Sequence, residues 1–185
     1  MTQERVRIIL PFALILAILA VSTASIFIRF AQTDAPSLVI AALRLTFASL
    51  ALAPLALTRH RAELRSLSRR ELLLGLLAGV FLALHFATWI SSLEYTTVAS
   101  SVVFVTTGPL WVALLSPFFL REPLTRPVLV GMGLALIGGI IIGLSDVCTW
   151  NQGPVCPSMG QVLHGRMLFG NFLALVGAWM VAGWP

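Results

Sequence analysis

Residues 72–92 read LLLGLLAGVFLALHFATWISS. No charged side chain interrupts these 21 residues, and His85 is their only titratable group. At 1.5 Å per residue, such a helix is about 30 Å long, the thickness of a bilayer's hydrocarbon core. A surface helix of a soluble domain shows a polar face; this stretch is apolar around nearly its whole circumference, which suits lipid. Working outward, comparable stretches occupy about 8–28, 36–57, 97–120, 127–144 and 167–184. The gaps between them are too short to hold a soluble domain. Composition agrees: the chain is 58% hydrophobic and 10% charged, where a soluble domain carries about 25% charged residues. The expected fold is all-α, a polytopic transmembrane helix bundle with the lipid bilayer as its solvent.

The net charge of +5 does not point to nucleic acid. The basic residues, all 12 of them arginine, sit mostly in loops between apolar spans and not on one face of a folded domain. If the helices alternate, Arg5, Arg7, Arg59, Arg61, Arg65, Arg69, Arg70, Arg121 and Arg126 share one side of the membrane. Arg29 and Arg166 fall on the other, with Asp34, Glu94 and Asp146. Short loops rich in arginine stay inside, so the N-terminus is expected in the cytoplasm and loop 145–166 outside. A multi-pass protein of a bacterial inner membrane is the expected setting. Arg5 and Arg7 before an apolar run also suit a secretory signal, but the run of about 21 residues is longer than a signal core and further spans follow it.

The external loop holds both cysteines, Cys148 and Cys156, among Gly153, Pro154 and Pro157. An oxidising compartment favours a disulfide between them. A redox enzyme would need a reactive C-x-x-C pair, which this spacing does not supply.

Polar groups in hydrocarbon are costly, so each one inside a span is a candidate for function. Arg44 lies in the second span, His85 in the third, Ser22, Thr23 and Ser25 near the end of the first, and Thr106 and Thr107 in the fourth. Helical rise puts all of them roughly 8–14 Å below the outer face, a layer suited to a solvated cavity. Trp89 and Ser92 share the His85 face at i+4 and i+7. The candidate substrate cavity is therefore Arg44, His85, Trp89, Thr106, Thr23 and Ser22. The bland reading sits beside it. An arginine snorkels or caps carbonyls, a histidine bonds a neighbouring helix, and hydroxyls act as interhelical glue.

The fourth span carries Gly108-Pro109 at mid-depth, where the missing N–H of proline is expected to break the helix and line a cavity. Gly75-x-x-x-Gly79 and Gly139-x-x-x-Gly143 predict close packing of the third and fifth spans. No H-E-x-x-H, G-x-S-x-G or metal-ligand cluster occurs, so neither enzymatic activity, a metal nor a cofactor is expected. His85 is the one group at that depth that titrates near neutral pH.

Several segments together resemble a known family. Glu94-Tyr95-Thr96-Thr97-Val98-Ala99-Ser100, Gly108-Pro109-Leu110-Trp111, Leu120-Arg121-Glu122-Pro123-Leu124-Thr125 and Gly131 through Gly139, with Ala42-Leu43-Arg44, are similar to the EamA-type domain of the drug/metabolite transporter superfamily. The likeness runs from about residue 10 to residue 184. It implies a permease that exports small organic metabolites, built from two five-helix repeats of opposite orientation around a substrate cavity. On that reading residues 8–144 form the first repeat, 145–166 an external loop, and 167–185 the start of a second repeat. Leu16-Ala17-Ile18-Leu19-Ala20 parallels Leu173-Ala174-Leu175-Val176-Gly177 where that repeat would begin.

The family pattern needs four more helices after Pro185, so an incomplete carrier is expected. A non-transporting membrane fragment, or a structural partner of other membrane proteins, is the competing reading. A homodimer could also complete the cavity, but antiparallel insertion needs a balanced charge bias, and nine arginines face two here.

Overall fold

The computed structural model describes residues 3–119, 121, 123–150, 154–155 and 165–183. Helix α1 (Gln3–Ala31) runs through Pro11. Thr33 closes it by donating to the Phe30 carbonyl, 2.7 Å. Helix α2 (Ser37–Arg59) begins directly after Pro36, whose fixed φ suits a helix entry. A short helix, α3 (Arg61–Ser66), joins it to α4 (Arg69–Ser92).

The start of α4 is locally encoded. The Ser68 hydroxyl accepts from the Glu71 backbone N–H, while the Glu71 carboxylate takes the Ser68 N–H at 2.7 Å, a reciprocal capping box. The fourth span is split. Helix α5 (Val98–Val105) stops at Thr106, and α6 (Gly108–Phe119) restarts at Gly108-Pro109. Pro109 has no N–H for the Val105 carbonyl, so the regular ladder lapses there. After Arg121, which has a left-handed backbone (φ 57°), α7 (Arg126–Val147) carries Pro127 in its first turn. Strands β1 (Thr149–Trp150) and β2 (Pro154–Val155) pair antiparallel, Thr149 opposite Val155 and Trp150 opposite Pro154. Helix α8 (Arg166–Ala182) is the last.

Among the described residues, five spans are long and apolar enough to cross a membrane: Leu10–Ala31, Ser37–Arg59, Arg69–Ser92, Val98–Phe118 and Arg126–Ser145. Helix α8, at 17 residues, is apolar but shorter. The molecule is thus a polytopic transmembrane helix bundle, as its composition implied.

Its packing follows membrane rules. Large apolar side chains such as Phe12, Phe47, Leu76 and Phe118 point outward, Phe118 with 78% of its surface free. Small and polar residues fill the interior: Ala41, Ala78, Ala174 and Ala178 with Ser25, Ser37, Ser92, Ser100, Ser101 and Asn171. Lipid tails are as apolar as leucine, so burying leucine does not drive helix association. Close backbone approach and interhelical hydrogen bonds do. The apolar core is small: Ile28, Ala41, Trp89, Ile90 and Leu93, flanked by Ile40, Phe86, Val98 and Val105.

The glycine expectation needs correction. A Cβ on Gly75 or Gly79 would meet nothing within 4 Å, so that motif makes no close contact among the described residues. Gly139 and Gly143 do face a neighbour, the Phe104 ring of α5. The tightest approaches belong to α8, which packs mainly along α4 and also along α5 and α6. A Cβ on Gly170 would lie 2.9 Å from Thr96 N, and one on Gly177 would lie 3.4 Å from the His85 carbonyl. A four-residue glycine spacing repeats one helical face, but whether a neighbour lies against that face is a tertiary matter.

Candidate functional site

The site is built on α4. Residues 85, 86 and 89 fall on adjacent positions of its inner face. Trp89 is 7% exposed, whereas His85 and Phe86 are half-buried. The His85 and Trp89 rings stack with centroids 6.1 Å apart, and Phe86 meets His85 edge-on at 5.0 Å. From α2, Arg44 reaches across and sets its guanidinium over the Phe86 ring at 5.0 Å and the Trp89 ring at 5.8 Å. A cation over an aromatic face is attracted by the ring quadrupole, more strongly where water is scarce.

His85 is oriented by α8. Its Nδ1 lies 2.8 Å from the Gly177 carbonyl oxygen. A carbonyl only accepts, so Nδ1 carries the proton, and Nε2 is the acceptor of the neutral ring. Gly177 permits this approach because a side chain there would press on Thr88 Oγ1 at 3.2 Å. The contact therefore requires a small residue in α8.

Arg44, His85 and Trp89 thus come together. Ser22, Thr23 and Thr106 do not join them: all three are exposed, and no hydrogen bond or ring contact among the described residues links them to that cluster. Thr23 Oγ1 donates to the Leu19 carbonyl at 3.1 Å, and Thr106 Oγ1 to the Val102 carbonyl at 2.8 Å. A short hydroxyl one turn along satisfies itself on its own helix, so its depth in the membrane does not require a cavity. The expected four-helix polar layer is, in the described residues, a two-helix cluster steadied by a third. Gly108 is buried against Ala178 and Val181 of α8, and Pro109 is exposed.

A second polar assembly closes one end of the bundle. The Gln32 amide donates to the Ile90 carbonyl at 2.7 Å and to Ser37 Oγ at 2.8 Å. Ser37 Oγ in turn donates to the Glu94 carboxylate. Thr96 Oγ1 donates to Asn171 Oδ1 at 2.7 Å, Ser92 and Ser101 hydroxyls meet at 2.6 Å, and Arg166 covers the Tyr95 ring at 5.5 Å. The turns at 32–36 and 93–97 and the start of α8 therefore meet at this end. Sequence reasoning passed over Gln32, Ser37 and Asn171. Asn171 did leave a signal, an amide side chain inside an otherwise apolar helix.

An apolar groove of about 280 Å³ lies elsewhere, lined by Trp111, Leu114, Leu115, Trp179, Ala182 and Gly183. It carries no charged group, and its chemistry is that of a lipid-facing crevice. No group of three or more potential metal ligands occurs among the described residues. Cys148, which caps α7, is not a free thiol. Its expected partner, Cys156, lies outside the described residues.

The model of the EamA-like transporter family matches residues 9–144. No match was found among curated proteins or among solved structures.

Proposed function

This chain belongs to the EamA-like transporter family, and from that premise we propose that it carries small organic metabolites across a bacterial inner membrane, as an exporter working by alternating access. The observation behind this reading is Arg44. It is a permanent charge within a membrane span, half-buried on two aromatic rings beside His85, with no acidic partner among the described residues. A charge kept in a span without a counter-ion is costly, and a passing solute is one reason to keep it. His85, held by α8, would be the second solute contact and the titrating one.

On this reading residues 8–144 form the first repeat, 145–166 an external loop, and α8 the first helix of a second repeat. Further helices, from a second repeat or from a second copy, would supply the remaining walls of a carrier cavity. The N-terminus and the arginine-rich α2–α4 connection would be cytoplasmic. Cys148 supports a disulfide in the external loop. Cys148, directly before β1, is not a free thiol, and Cys156 is the other cysteine of the sequence.

The test is the metabolite content of the medium around cells expressing the protein, compared with Arg44→Ala and His85→Ala at equal membrane abundance. Export by the wild type that both variants lose supports the reading. Unchanged export by both variants removes these residues from the path.

A further inference from the structure

We propose that the Arg44 station selects organic anions, specifically solutes carrying one carboxylate on an aromatic or apolar body. The inference rests on the transport reading above and names the substrate class of that site. Four observations converge on it. The Arg44 guanidinium makes no hydrogen bond or ion pair among the described residues; its contacts are the Phe86 and Trp89 rings. A cation over an aromatic face spends none of its N–H donors in a hydrogen bond, so the guanidinium fork keeps its donors for a carboxylate, which it can grip through two parallel bonds.

Trp89 supplies a second unused donor. Its Nε1 is fully buried and has no partner among the described residues, although a buried indole N–H ordinarily finds one. The rings of His85, Phe86 and Trp89 form a continuous aromatic wall beside the charge. Finally, no carboxylate among the described residues stands beside Arg44 to hold a cation. The five long spans hold no acidic residue except Glu71, in the first turn of α4. Glu94, just past the end of α4, is engaged by Ser37. The Gly177 carbonyl is taken by His85. An ammonium group would thus meet a fixed positive charge with no carboxylate to offset it, a repulsion that works against cationic solutes.

The experiment uses the full chain in lipid nanodiscs and three ligands of one shape: 3-phenylpropionate, 3-phenylpropionamide and 3-phenylpropylamine. Binding is measured by calorimetry on the wild type, Arg44→Gln, Arg44→Lys and Trp89→Phe. We expect the carboxylate to bind about tenfold or more tightly than the amide, and the amine not at all. Arg44→Gln should erase that difference, and Arg44→Lys should retain part of it, since lysine keeps the charge without the fork. Trp89→Phe keeps an aromatic ring but removes the donor, and should weaken the carboxylate more than the amide. Equal binding of carboxylate and amide overturns the proposal, as does a preference that survives Arg44→Gln or a carboxylate that does not bind. If carboxylate and amide bind equally but Trp89→Phe or Arg44→Gln weakens both, the anion assignment fails while the cavity stands. Unchanged export in Arg44→Ala and His85→Ala is the separate result that removes the cavity itself. If Arg44→Gln does not fold, Arg44→Lys and Trp89→Phe still decide the matter.

Discussion

Gly170 of α8 lies against Thr96 of the α4–α5 turn so closely that a Cβ added to the glycine would sit 2.9 Å from the Thr96 backbone nitrogen and 2.9 Å from its Cβ. Neither obstacle is the end of a flexible side chain, so the two backbones would have to separate. Gly170→Ala is expected to destabilise the bundle by about 1–3 kcal/mol, the usual cost of overpacking. Gly75→Ala and Gly79→Ala enter open space, and should be neutral or stabilising by about 0.5–1 kcal/mol, since alanine is the better helix former. Denaturant titration in mild detergent checks the contrast. Equal losses at all three sites would refute this account of the α4–α8 contact.

The same junction holds a polar bond, from Thr96 Oγ1 to Asn171 Oδ1. Both side chains are buried. A double-mutant cycle with Thr96→Val and Asn171→Leu should give a coupling of about 0.6–1.7 kcal/mol, the range of hydrogen bonds between membrane helices. Strict additivity of the two losses would show that the bond contributes nothing.

At the opposite end of α4, Ser68 and Glu71 cap the helix reciprocally. Ser68→Ala should cost about 1 kcal/mol, and Ser68→Gly only a few tenths. Hydrogen exchange at the first turn of α4 is the direct readout. It should quicken in the alanine variant and remain near wild type in the glycine variant.

The expected Cys148–Cys156 bond predicts the thiol chemistry of the purified protein. Without reductant, neither cysteine should react with a maleimide under denaturing conditions, and both should react after reduction. Two labels without reduction would show free thiols.

Topology is open to a simple reporter experiment. Alkaline phosphatase fused after Gly160 should be active, because it would lie outside, and the same reporter fused after Ser66 should be inactive. The reverse pattern would invert the whole molecule.

Legibility differed from feature to feature for physical reasons. The spans were readable because crossing about 30 Å of hydrocarbon demands a long apolar run whatever the helix packs against. The interruption near Gly108-Pro109 was readable because a missing N–H acts locally. Arg44, His85 and Trp89 stood out because charge and imidazole are rare within spans. That Thr23 and Thr106 turn back onto their own helices was not readable, since a hydroxyl at a given depth serves its own backbone or a neighbour equally well. Nor was the role of Gln32, whose partner carbonyl at Ile90 lies 58 residues away.

By itself, then, the sequence determined that this protein lives in a membrane as a bundle of apolar helices, where its helices start and break, and to which family it belongs. Each of these depends on hydropathy, on a local cap or proline, or on an ordered set of motifs along the chain. Tertiary structure alone decided which faces meet: that α8 lies along α4, that Gly170 and Gly177 rather than Gly75 and Gly79 make the close approach, and that Arg44 rests on Phe86 and Trp89. In lipid every outward face is equally apolar, so hydrophobicity cannot say which side of a helix turns inward. Small residues and polar partners do, and only when the neighbouring helix brings their counterparts within reach.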